Sequence, residues 1–310
     1  MKNLLFLAVV FPCTLIAQTL VGVNAEDLIQ YYPGLMKNES GLNVKKISLK
    51  TGVTLEYVEK GDINGTPVIF LHGLSDSWHS FESALLQMPT EIHAFAISQR
   101  GHGDSERPAT GYTPKEFAAD VAAFVEQLGI GPVIIAGHSM GGVMAQQFAL
   151  DYPKLLKAMV ILGSDPDFRN NPGMPEFYEY ALQMEGKIEH DFMVEFQKGT
   201  LAKPIDSAYF NLLVEELLKV PVYVFQAALK GLMEVNYKEV LPKINQPVLV
   251  LWGDKDSFCT REGQEVFKSG FKNVRLVEFT GNGHALHWED PARFVRELVQ
   301  FIKDLKKEAK

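Results

Sequence analysis

Short, almost wholly apolar segments alternate with helical stretches along this chain. No other feature constrains the fold as much. Pro67–Leu71, Ile92–Ser98, Pro132–Ala136, Ala158–Leu162, Val248–Trp252 and Val274–Phe279 each have the length and composition of a buried strand. Apolar runs without polar alternation fit strands covered on both faces, as in a mostly parallel α/β sheet. Val44–Lys50 and Val53–Glu59 read as two further strands, joined through Thr51-Gly52 as a hairpin.

The helices carry their own punctuation. Thr113-Pro114-Lys115-Glu116 is a capping box with proline at the first helical position. Phe117, Val121, Phe124, Val125 and Leu128 follow at helical spacing, and Gly129 ends the run. Met140–Tyr152 reads as a helix closed by Pro153. A last helix opens at Asp290-Pro291 and carries Phe294, Leu298, Phe301, Ile302 and Leu305. Residues 168–242 interrupt the alternation with a helical stretch rich in large apolar side chains. The expected organisation is a core of residues 26–167 and 243–310, with 168–242 as a helical cap inserted after the sixth strand.

Residues 1–25 read as a leader rather than as fold. Lys2 precedes the apolar run Leu4–Ile16, and Val23-Asn24-Ala25 offers compact residues before a cleavage point after Ala25. The run is shorter than the roughly 20 residues that span a bilayer. The expectation is an exported protein, periplasmic or secreted, with no membrane span after processing. Export would leave Cys259 as the one cysteine of the mature chain, with no partner for an internal disulfide.

Composition excludes several function classes. Lys and Arg total 30 against 38 Asp and Glu, a net charge of −8, which lacks the basic footprint of a nucleic-acid binder. Two cysteines among 310 residues exclude a disulfide scaffold and a cysteine-based zinc site. His79, His93 and His190 show no metal spacing. No phosphate loop is present, and Gly129-x-Gly131 precedes a strand instead of following one, so no dinucleotide is implied. The expectation is an enzyme without cofactor or metal that acts on a small molecule.

Gly137-His138-Ser139-Met140-Gly141 lies between a strand and a helix. A serine hydroxyl becomes a good nucleophile only when it is exposed, aimed and deprotonated by a base. A sharp strand-to-helix turn aims it, and only small residues two positions away tolerate that turn. His72-Gly73, Arg100-Gly101-His102-Gly103-Asp104-Ser105, Gly253-Asp254-Lys255-Asp256 and Gly283-His284 complete the set. With these motifs the chain resembles the α/β-hydrolase superfamily over about residues 44–305.

The resemblance implies a doubly wound α/β-hydrolase fold and the chain order Ser139, Asp256, His284 for nucleophile, acid and base. Asp254 competes with Asp256, and relatives that supply the acid after the sixth strand leave Asp165 and Asp167 open. Backbone N–H groups of Leu74 and Met140 would form the oxyanion hole. His72, His102, His138 and His287 read as structural. Trp78, Phe177 and Phe210 are candidate substrate-binding residues.

Serine at the elbow argues against the dehalogenases and epoxide hydrolases of this fold, which use aspartate there. What remains is a carboxylesterase or lactonase acting on a small to medium apolar ester. A C–C bond hydrolase or a cofactor-free haloperoxidase or perhydrolase would use the same triad. A ligand-binding protein of this fold that has lost turnover is the alternative of another class.

Overall fold

The computed structural model describes residues 42–308. The leader expected at residues 1–25 lies outside the described residues. Eight strands form one sheet: β1 Asn43–Ser48, β2 Thr54–Lys60, β3 Thr66–Leu71, β4 Ile92–Ser98, β5 Val133–His138, β6 Leu156–Leu162, β7 Val248–Gly253 and β8 Val274–Phe279. Their order across the sheet is β1-β2-β4-β3-β5-β6-β7-β8. β1 and β2 form the expected antiparallel hairpin, closed at Gly52 with φ +84°. β2 also runs antiparallel to β4, and every later pairing is parallel.

The helices are α1 Glu82–Gln87, α2 Pro114–Leu128, α3 Met140–Asp151, α4 Gly173–Leu182, α5 His190–Gly199, α6 Ser207–Leu217, α7 Val222–Glu234, α8 Arg261–Gly270, α9 Leu286–Glu289 and α10 Pro291–Glu308. The capping box forms as the sequence predicts: the Glu116 carboxylate accepts from the Thr113 N–H at 3.0 Å. Gly129 closes α2 in the left-handed conformation, φ +64°. The short helices α1 and α9, and the polar-rich α8, were not legible in the pattern.

Strand alternation divides the core between two layers of helices. Ile69 and Leu71 of β3 point to the side where Phe95 and Tyr57 pack on Phe124 of α2, at ring distances of 5.7 and 5.0 Å. Phe70, between them, points the other way and meets Phe81 at 5.0 Å and Phe294 of α10 at 6.3 Å. Helix α3 is buried almost all round, from Met140 to Ala149. Four helices, α4 to α7, are inserted between β6 and β7. No helix among the described residues is long and apolar enough to cross a membrane.

Leu298 of α10 is fully buried. Leu298→Ala should therefore lower the unfolding free energy by about 2–5 kcal/mol, measured by urea denaturation. A loss below about 0.5 kcal/mol would mean that α10 does not close the second layer.

Candidate active site

The site begins with two strained serines. Ser139 has φ +50° and ψ −115°, and Ser75 has φ +63°; they are the two non-glycine residues with positive φ among those described. Such a conformation costs on the order of 1–3 kcal/mol and persists only where the surroundings impose it. At Ser139 they do. Its N–H donates to the Leu162 carbonyl at 2.9 Å, and its own carbonyl accepts from the Gly142 N–H at 2.9 Å and from the Ser164 hydroxyl at 2.8 Å.

The neighbouring glycines are sterically obligatory. A Cβ on Gly137 would sit 2.2 Å from the Gly141 carbonyl oxygen, and one on Gly141 would sit 2.1 Å from the Leu71 carbonyl oxygen. The elbow is thus packed backbone against backbone, and the Ser139 side chain is carried to the wall of a cavity.

That cavity is also lined by Leu74 and His284. His284, at the end of the loop after β8, places Nδ1 3.0 Å from both carboxylate oxygens of Asp256. The Asp256 side chain is fully buried and is fixed by the N–H groups of Phe258 and Cys259, which donate to Oδ1 at 2.8 and 2.9 Å. A carboxylate held by two amides has little freedom to leave the imidazole.

The competing acids stand elsewhere. Asp254 accepts from the Gly281 N–H and closes the turn before the histidine loop. Asp165 accepts from the Asp167 N–H and from Asn170, and Asp167 pairs with Arg169. Asp256, Cys259 and His284 bring three metal-ligating atoms within 4.8 Å of one another. Burial pushes the Cys259 thiol well above its usual range, and the other two groups already pair with each other.

The Leu74 N–H meets no protein acceptor among the described residues, and the Met140 N–H stands free at the start of α3. Ser75 shapes the Leu74 loop, its hydroxyl donating to the Leu74 carbonyl at 2.7 Å. Behind that loop His72 accepts from the Gln99 N–H through Nε2 at 2.9 Å. Its Nδ1 therefore carries the proton, which it donates to the Gly73 carbonyl at 2.8 Å.

Of the three candidate substrate-binding residues, Phe177 lines the cavity. Trp78 does not: it is buried against His79, with ring centroids 3.7 Å apart, because a 3₁₀ turn starting at Ser77 directs it away. Phe210 also lies outside the lining, because α6 turns its buried face, Leu213 and Leu217, to the interior. Residues not singled out by sequence supply most of the wall: Phe168, Met174, Phe196, Leu229 and Leu232 on the apolar side, Asp76 and Gln197 on the polar side. Helical spacing marked the inserted residues as apolar but could not say which of them face inward.

The inserted helices are tied to the histidine loop. The Thr200 carbonyl accepts from the Ala285 N–H at 3.0 Å. Glu289 accepts from the N–H groups of Gly283 at 2.8 Å and Lys203 at 2.9 Å, and from that of Ala202.

A model of the alpha/beta hydrolase fold family matches residues 66–291. Epoxide hydrolase 3 of Mus musculus is 26% identical over 284 residues, covering 82% of this chain and 75% of the relative. Among solved structures, an esterase from Exiguobacterium antarcticum superposes with a TM-score of 0.76 at 24% identity, covering 84% of this chain and 99% of that one; this likeness speaks for the fold. Est816, described as an N-acyl homoserine lactone degrading enzyme, superposes with a TM-score of 0.73 at 27% identity, over 83% of this chain and all of the other.

Two measurements follow from the geometry. Gly141→Ala should abolish the elbow, read as loss of any Ser139-dependent reactivity together with a lower melting temperature. A fully reactive variant would show that the close approach to Leu71 is not limiting. The second concerns pH. Burial lowers His72 and His138 well below 6.5, His102 to about 4 and His287 to about 3. The unfolded chain takes up these protons from about pH 6.5 downward while the folded chain does not, so stability falls with pH through that window.

Burial acts oppositely on Asp76, raised to about 7, and Asp165, raised to about 6. Both are protonated in the folded chain before they are in the unfolded one, so they add stability as pH falls towards 3.8. Four groups outweigh two. The unfolding free energy should decline below pH 6.5, and His287→Phe should flatten that decline by about 1.4 kcal/mol per pH unit. An unchanged slope in urea titrations would refute the buried, neutral state of His287.

Proposed function

The chain belongs to the α/β hydrolase fold family, and on that footing we propose that it is a serine hydrolase that cleaves a small carboxylic ester or lactone through Ser139, His284 and Asp256. One observation carries the reading. A serine held at φ +50° by two unavoidable glycines shares a cavity with an imidazole whose far nitrogen is locked on a buried carboxylate. A protein that only binds a ligand has no use for such strain.

The Ser139 hydroxyl attacks the substrate carbonyl while His284 Nε2 accepts its proton. Asp256 holds the Nδ1–H and stabilises the imidazolium that forms. The oxyanion accepts hydrogen bonds from the N–H groups of Leu74 and Met140. Collapse of the intermediate expels the alcohol oxygen, which takes the proton back from His284. A water, deprotonated by the same imidazole, then hydrolyses the acyl-enzyme and regenerates Ser139.

The same fold carries enzymes that attack epoxides with an aspartate at the elbow. Ser139 instead supports acyl transfer, since a serine ester is itself cleaved by the His284-activated water. Cavity size supports a small substrate. Its volume is about 30 Å³, a few times the roughly 10–15 Å³ that one water needs on the same measure. Export through the leader at residues 1–25 belongs to the same proposal, and N-terminal sequencing of the mature protein would test it.

Ser139→Ala should eliminate both labelling by a fluorophosphonate and hydrolysis of p-nitrophenyl acetate. Persistence of either would refute Ser139 as nucleophile. Asp256→Asn should lower kcat by about 10⁴-fold, whereas Asp254→Asn should retain the Asp256–His284 pair and most of the turnover. The reverse outcome would reassign the acid.

A further inference from the structure

The polar wall of the cavity holds unsatisfied groups that acyl transfer does not use. Gln197 is buried to 1% exposure on α5; its side chain stands beside the Asp76 carboxyl and acts on it, and its Nε2 has no partner within hydrogen-bond distance among the described residues. Its position is fixed, because the Gln197 carbonyl accepts from the Thr200 hydroxyl at 2.7 Å and Thr200 is anchored to the histidine loop. An amide donor left unpaired in a buried site costs on the order of 1–3 kcal/mol. A protein keeps such a group where something else completes it.

Two acceptors line the same cavity. His138 Nε2 lies 3.2 Å from the His284 carbonyl oxygen and must donate to it. Its Nδ1 is therefore a bare lone pair, and it is unpartnered. Asp76 is 3% exposed, and its Oδ2 is reached by the Ser80 hydroxyl at a long 3.4 Å and lies 3.9 Å from His138 Nδ1. Gly73 packs closely on this pair: a Cβ there would be 3.0 Å from His138 Nδ1 and 3.1 Å from Asp76 Oδ2. Gln197, His138 and Asp76 all line the cavity that contains Ser139 and His284.

We propose that Gln197, Asp76 and His138 form a subsite for a hydroxyl group of the substrate, so that the preferred esters or lactones are hydroxylated ones. This rests on the serine-hydrolase reading above. A hydroxyl oxygen accepts from the Gln197 amide while its hydrogen goes to Asp76 or His138, and one small group thereby satisfies both kinds of orphan. A ligand carboxylate could not donate, and it would face Asp76. An ammonium would leave the Gln197 donor unpaired. Burial raises Asp76 to about 7, which lets it serve near neutral pH as a carboxyl or a carboxylate.

The same oxygen chemistry could also come from the water that cleaves the acyl-enzyme, and the test separates the two. kcat/KM is measured for two matched pairs: p-nitrophenyl 3-hydroxybutyrate against p-nitrophenyl butyrate, and 2-hydroxyethyl butyrate against ethyl butyrate. In the wild type the hydroxylated member should lead by about ten-fold or more in at least one pair. Gln197→Met keeps the side-chain volume and removes the donor, and it should bring that ratio close to one. Asp76→Asn should shift the same ratio, with thermal melting confirming that it folds; Gln197→Met carries the test if it does not.

A wild-type ratio near one in both pairs overturns the subsite, as does a ratio unmoved by Gln197→Met. An equal fall in kcat for both members with kcat/KM unchanged, and a burst of nitrophenolate showing acyl-enzyme build-up, assigns the groups to the hydrolytic water and also overturns it. Failure of the wild type to react with fluorophosphonate or to cleave any of these esters is a different result: it refutes the serine-hydrolase reading, and the subsite proposal falls with it.

Discussion

Everything in this candidate active site depends on a steric contact without a side chain. The backbone of Gly141 comes so close to β3 that no Cβ fits between them, and Gly137 is blocked in turn by Gly141. This contact forces Ser139 into its positive φ and at the same time docks the start of α3 against the centre of the sheet. Strain is normally relieved by a small backbone shift. Here a shift would have to move α3, which is buried on nearly every side, and interiors this dense do not yield locally. The core therefore supplies the rigidity that aims the hydroxyl.

The histidine half of the site has a different kind of support. His284 lies on a loop, and loops move unless something holds them. Three devices hold this one. Asp256 grips Nδ1 and is itself gripped by two amides. Asp254 closes the preceding turn on Gly281. Glu289 binds the Gly283 N–H together with those of the inserted segment at Ala202 and Lys203. Because Glu289 serves both sides, the inserted helices cannot be displaced far without disturbing the residue next to His284. The inserted part of the cavity wall and His284 are thus mechanically one unit, although more than 50 residues of sequence separate them.

The sequence announced the groups that work by chain order and failed on those that work by proximity. The strands at Ile92–Ser98 and Val274–Phe279 were legible to the residue, since an apolar run between turn signals has few other uses. The elbow was legible because two glycines flanking a strand-to-helix serine have a steric meaning of their own. Trp78, an aromatic residue close to Leu74 in sequence, begins a buried 3₁₀ turn and lies outside the cavity lining. Gln197 was overlooked because a polar residue late in an amphipathic helix usually faces water. Only tertiary packing of α5 on the histidine loop buries it. Asp76, four residues beyond His72, carried no mark that distinguished it from a turn aspartate.

The ionisable groups around the cavity share one consequence of this burial. His72, His138 and His287 are all driven towards the neutral form, and burial drives Asp76 the same way. A neutral surround matters for an imidazole that is proposed to become a cation during acyl transfer. Charged imidazoles at His138, whose ring stands 4.8 Å from that of His284, and at His287, 4.4 Å from His138, would oppose a His284 imidazolium. With them uncharged, the carboxyl group that His284 touches is that of Asp256, its side chain fully buried and hydrogen-bonded to Nδ1. Desolvation thus silences the imidazoles of His138 and His287 around the proposed base.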